Sequence, residues 1–441
     1  MEKKQSLMTK FQNLLEKYIV PVATKISQQR HLAAVREGLT VLVPVTIIGG
    51  FAILLAQPPV KPTTEATNFL MTLLVGWRDW AAENSAILLT PYNLTIGIIS
   101  IYVVLGISYQ LAKTYKMNTV SNMITALLTY LCVAGIPQAF ASGEANVTAI
   151  PLGNLGAAGM FAAIIVSIVV IEINHLFMVK NWVIKLPDTV PPNVTAPFNI
   201  LIPGIVNLLL FMILDNVCRA YLGSSFTGII YAVFQPLISA TGSLPSIILI
   251  NVLMTTFWFF GIHGGNMVGI VTTPLTTLGL TMNAEAYAAG QPLPTIFAGA
   301  INSVYGGWIS YFAAVLVILI FAKASQLKSI ARIGVVPSFF NINEPLIFGL
   351  PTVLNPFMLI TFLICNNVNL TIAYLLMQNG ILGRFFVQLP FTVPAPLHGW
   401  LASMDPKAFI VWAGLLLLDM AIAFPFIKAY DKQLLETEAN E

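Results

Sequence analysis

Apolar runs about 20 residues long recur along this chain, and no other feature limits its fold so tightly, because that length carries a helix across a hydrocarbon core of roughly 30 Å. Of the 441 residues, 57% are hydrophobic and 9% charged, against roughly a quarter charged in an ordinary soluble domain. The expectation is an all-α polytopic membrane protein with about ten transmembrane helices, re-entrant broken helices and interfacial amphipathic helices.

Continuous spans are expected at residues 32–56, 86–111, 119–141, 153–174 and 196–217. Ser225–Gly242 reads as a helix along the outer interface. Beyond Pro245 the apolar segments shorten and are interrupted by Gly, Pro and Asn: spans at 245–261, 303–322, 352–377 and 407–427 alternate with broken segments at 335–350 and 384–403. Broken helices at membrane depth survive only where protein or a water-filled cavity satisfies the backbone, and they are the best sequence pointer to a transport site. Four divisions follow: a lead of residues 1–31, a scaffold and dimerisation half of 32–242, a substrate-binding half of 243–427 and a tail of 428–441. Lys3, Lys4, Lys10, Lys17, Lys25, Arg30 and Arg36 crowd the start, and no cleavable signal peptide is visible. Both termini are expected in the cytoplasm.

Glu344 sits in Asn341-Ile342-Asn343-Glu344-Pro345, inside an otherwise apolar stretch. A charge at membrane depth costs roughly 2.5–3.5 kcal/mol, so an intramembrane Glu is a functional hypothesis by default. Its bland alternative is a buried ion pair with Arg332 or Lys328, or a side chain that simply snorkels to the interface. His263 follows an aromatic run containing Trp258 and precedes Gly264, Gly265 and Asn266. Aromatic faces beside amides and a carboxylate suit a sugar, whose ring offers an apolar C–H face and a rim of hydroxyls. Asp215 has Arg219 four residues on, and Glu172 has His175 three on, so local pairing accounts for both. Asp419 lies mid-span, and the residues alone do not choose between a helix partner and a place on the pathway.

Other chemistries find little support. Cys132, Cys218 and Cys365 lie in or beside apolar runs without metal or disulfide spacing. No Walker pattern appears, no cofactor is implied, and the basic residues do not form a nucleic-acid stripe.

Gly261-Ile262-His263-Gly264, Asn341-Ile342-Asn343-Glu344-Pro345 with Ile347-Phe348-Gly349, and Arg30-His31-Leu32-Ala33-Ala34-Val35-Arg36-Glu37-Gly38 resemble, in order and over essentially the whole chain, one family. It is the membrane (IIC) component of the lactose/cellobiose/diacetylchitobiose family of the bacterial phosphoenolpyruvate-dependent sugar phosphotransferase system. The resemblance implies a homodimer in the cell membrane and a disaccharide substrate of cellobiose, diacetylchitobiose or lactose type. It implies an elevator-like motion that presents the sugar 6-hydroxyl to a phosphocysteine on a cytoplasmic IIB partner, itself charged through IIA. The chain is then not an enzyme by itself, although Glu344 and His263 take part in the chemistry. Trp258, Asn343, Asn341, Gly264 and Asn266 are the expected sugar contacts, with Phe391 and His398 from Pro390-Phe391-Thr392-Val393-Pro394-Ala395-Pro396-Leu397-His398-Gly399. Members often read Pro-Trp-Thr-Thr-Pro there, then an apolar pair and Ser-Gly. The rival reading is a proton- or sodium-coupled secondary sugar transporter, with Glu344, His263 and Asp419 as a relay.

Overall fold

The computed structural model describes residues 29–58, 60, 65–142, 145–187, 189–350, 353 and 355–438. Lys3, Lys4, Lys10, Lys17 and Lys25 of the expected lead, and residues 439–441 of the tail, lie outside them.

The chain folds as helices because backbone groups in hydrocarbon must be satisfied within their own segment. In order these are α1 (Arg30–Thr40), α2 (Val43–Ala56), α3 (Phe69–Glu83), α4 (Ser85–Asn93), α5 (Ile99–Thr114), α6 (Thr119–Ala134), α7 (Met160–Val179), α8 (Pro192–Leu222), α9 (Phe226–Thr241), α10 (Leu244–Phe259), α11 (Gly264–Ala288), α12 (Trp308–Phe321), α13 (Ser325–Phe339), α14 (Glu344–Gly349), α15 (Pro356–Gln378), α16 (Ala395–Ser403) and α17 (Lys407–Glu438). Among the described residues, seven segments are long and apolar enough to span a membrane, or eight if α9 and α10, which meet at a 74° bend, count as one.

Several expected spans have different limits. The run at 86–111 breaks after Pro91: α4 ends at Asn93, a 3-10 turn covers Ile96–Ile98, and the span proper begins there. The 119–141 run stops at Ala134, and strand β1 (Gln138–Ser142) then pairs antiparallel with β2 (Ala145–Ala149), with Gln138 opposite Ala149. The last span continues as one helix through the described part of the tail, to Glu438.

In the first half, α5 packs against α1, α6 and α7, and α8 packs against α6 and α7. Gly38 and Gly106 let α1 and α5 meet at backbone distance; a Cβ on Gly38 would lie 2.7 Å from the Ile107 nitrogen, the small-residue contact that substitutes for hydrophobic drive within lipid. Buried amides tie three helices together: Asn207 donates to Asn174 Oδ1 at 2.8 Å, and Asn174 donates to Asn122 Oδ1 at 2.9 Å. The second half packs α12 on α17 and α13, and α15 on α10 and α17. Helix α11 lies between the halves, against α1 on one side and α10 on the other.

Candidate functional site

Two helix breaks of the same design build the site. At the first, α10 ends with Gly261 at φ +73°; its N–H donates to the Trp258 carbonyl at 3.0 Å, and that of Ile262 to the Phe257 carbonyl at 3.0 Å. At the second, α13 ends with Asn341 at φ +66°; its N–H donates to Ser338 at 3.0 Å, and that of Ile342 to Pro337 at 2.9 Å. Both are Schellman endings, whose left-handed residue is nearly always Gly or Asn. The next residue caps a new helix: His263 starts α11 and Asn343 starts α14. The glycine and asparagine that open these two motifs therefore serve one backbone purpose.

The breaks face a common cavity of about 320 Å³, lined among others by Trp258, His263, Trp308, Asn341, Glu344 and Phe391. That volume lies at the lower end of small-molecule sites, roughly 300–1,000 Å³. A larger cavity of about 660 Å³ lies in the first half beside Lys116, Asn122 and Asn199, without a residue of either break and without an acid, imidazole or aromatic side chain among its described lining residues, so the smaller one is the candidate site.

His263 Nδ1 accepts the N–H of Asn266 at 3.1 Å. That bond requires an unprotonated Nδ1, so the ring proton is on Nε2 in this arrangement. The Trp258 ring lies 4.3 Å from the imidazole, tilted by 48°. Glu344 is exposed at the start of α14 and forms no ion pair with Arg332 or Lys328 among the described residues. It is the one carboxylate among the described lining residues.

The two asparagines of the motif are largely occupied with structure. Asn341 Nδ2 donates to the Phe391 and Val393 carbonyls, each at 2.6 Å, fastening the turn to the segment before α16. Asn343 Oδ1 accepts from Ser338 at 2.8 Å. Both line the cavity while being 6% exposed.

Three expected contacts are not among the lining residues. Gly264 packs behind them, where a Cβ would sit 2.9 Å from Trp258 Cδ1 and collide with the Met254 carbonyl. The Asn266 backbone serves the His263 cap, and its carbonyl accepts from Arg36. His398 is buried behind Trp308, ring centroids 5.4 Å apart, with no partner for Nδ1 among the described residues. Sequence reasoning passed over Trp308 and Tyr311, which also line the cavity. They lie three apart, one turn along α12, directly after Gly306-Gly307, where a π-type turn at Ser303–Gly307 aims them inward; the paired glycines were the available signal.

Asp419 does not line the cavity; fully buried, it accepts from Asn369 Nδ2 at 2.7 Å and so joins α17 to α15. Asp215 pairs with Arg219 at 2.7 Å. Glu172 does not pair with His175: its partners are His31, at 2.7 Å, and the Tyr115 hydroxyl, while His175 stacks on Tyr115 at 3.8 Å. The packing of α5 against α7, with α1 on α5, brings up partners nearer than the one three residues away.

The family model described as phosphotransferase system, EIIC matches residues 36–365. The oligo-beta-mannoside-specific EIIC component of Bacillus subtilis is 31% identical, over 97% of this chain and 96% of its own. The cellobiose-specific EIIC component of Geobacillus stearothermophilus is 30% identical, over 97% and 95%. Among solved structures, the transporter ChbC, the IIC component of an N,N′-diacetylchitobiose-specific phosphotransferase system, superposes with a TM-score of 0.86 at 30% identity, over 97% of this chain and 100% of that one.

Proposed function

This chain belongs to the phosphotransferase system EIIC family and is one of its sugar permeases; from that premise we propose that it carries a β-linked disaccharide across the bacterial cell membrane and presents the sugar 6-hydroxyl to a phosphorylated IIB partner. The observation that carries this reading is the cavity shared by His263 and Glu344, two residues 81 positions apart in sequence (344 minus 263) on matching helix breaks. Relatives named for oligo-β-mannosides, cellobiose and diacetylchitobiose bracket the substrate class.

In this reading the sugar ring lies against Trp258 and Trp308, whose flat faces suit its C–H surface. Glu344 accepts a hydrogen bond from the 6-hydroxyl, holds its oxygen in line with the phosphorus and takes its proton as the new O–P bond forms and the S–P bond to the partner's cysteine breaks. His263 contributes the Nε2–H, which orients the same oxygen or a phosphoryl oxygen. The substrate-binding half moves as an elevator against a homodimeric scaffold, with both termini in the cytoplasm.

Membrane vesicles separate this from gradient-driven uptake. With phosphoenolpyruvate, the general phosphotransferase proteins, IIA and IIB, a panel of cellobiose, lactose, mannobiose and diacetylchitobiose is expected to yield at least one internal sugar phosphate. Uptake of unmodified sugar on an imposed proton or sodium gradient, without those proteins, would overturn the reading.

A further inference from the structure

No Lys or Arg stands among the described residues that line the cavity, yet a phosphoryl group in transfer spreads negative charge over its oxygens and is stabilised almost wholly by position and electrostatics. The cation tied most directly to the site comes from the first half of the molecule. Arg36, on α1, donates from Nη1 to the Asn266 carbonyl at 3.3 Å, and the N–H of that same Asn266 is bonded by His263 Nδ1 at 3.1 Å. Arg36 and His263 are therefore linked through the two backbone groups of one residue, Asn266. Its other bond, Nη2 to Glu37 at 3.2 Å, engages a side chain that is 51% exposed, where screening by water leaves an ion pair weak. Among the described residues, no buried carboxylate pairs with Arg36.

We propose that Arg36 is a positioning residue for phosphoryl transfer: across the seam between the two halves it holds the Asn266 end of the His263 turn and brings a positive charge to the helix that carries the imidazole. The proposal rests on the permease reading above. It differs from a plain interhelical contact between α1 and α11 in requiring the charge as well as the hydrogen bond.

The test compares Arg36→Gln, which keeps a donor for the Asn266 carbonyl and removes the charge, with Arg36→Lys, which keeps the charge. Two quantities are read for the panel sugar that the wild type phosphorylates fastest: equilibrium binding to purified protein, and the phosphorylation rate with phosphorylated IIB in excess. Arg36→Gln is expected to slow phosphorylation about tenfold or more while binding changes by less than about twofold, since the charge acts on the transition state and not on the neutral sugar. Arg36→Lys is expected to recover most of the rate. A Gln variant at wild-type rate, or one that loses binding and rate in parallel, would sink the proposal. Should the Gln chain fail to reach the membrane, Arg36→Ala with added methylguanidinium decides instead, and absence of rescue counts against it. A wild type that forms no sugar phosphate from any panel member overturns the permease reading itself, a result distinct from these.

Discussion

At the level of single residues, His263 caps α11, and the proposed role in phosphorylation is a second duty that substitution can part from it. Asparagine is a good helix N-cap, whose side-chain oxygen can accept the N–H that His263 Nδ1 now accepts. His263→Asn should thus keep thermal stability within roughly 0.5 kcal/mol of wild type, while sugar phosphorylation falls for want of the Nε2–H; melting in detergent and a phosphorylation assay read the two separately. Glu344→Gln should retain sugar binding and lose phosphorylation, and a mutant that phosphorylates normally would remove the carboxylate from the chemistry. Asn341 holds its motif in place by its side chain. Its replacement by Ala forfeits two hydrogen bonds to carbonyls and a tolerated positive φ, a loss of roughly 3 kcal/mol in all, visible as a lower melting temperature.

Among the helices, Asp419 joins α17 to α15 through Asn369. Asp419→Asn keeps a polar partner of the same shape and should leave stability little changed, whereas Asp419→Leu strands the Asn369 amide and should cost about 1–3 kcal/mol; equal melting of the two variants would contradict that role. What the sequence disclosed follows the same physical lines. Glu344, His263 and Trp258 were legible because a polar group among apolar residues needs a reason, and the Gly and Pro around them mark chain breaks. Trp308 and Tyr311 were not, since an aromatic in an apolar helix looks alike whether it faces lipid, core or ligand. The break after Asn93 was marked by Pro91, Asn93 and Gly97, but the apolar residues on both sides of them read as one run. The amide bonds of Asn341 were beyond reach because its partners, near Phe391 and Val393, are 50 and 52 positions away.

For the molecule as a whole, α8 presents a broad apolar face, with Leu209 53% and Ile213 60% exposed, consistent with either lipid or a second copy. The homodimer proposed above predicts that Ile213→Cys, in a chain freed of Cys132, Cys218 and Cys365, yields a disulfide-linked pair on oxidation in membranes; a monomeric mass in mild detergent with no cross-linked species would refute it. The amide chain from Asn207 through Asn174 to Asn122 bears on which half stays still. Turning α7 by a single residue, about 100°, would swing Asn174 out among acyl chains and leave an amide on either side without its mate. Those three helices are accordingly keyed to one angular setting, like a shaft in its slot, and any stroke that shifts cargo relative to the bilayer has to be taken up where no such key is cut.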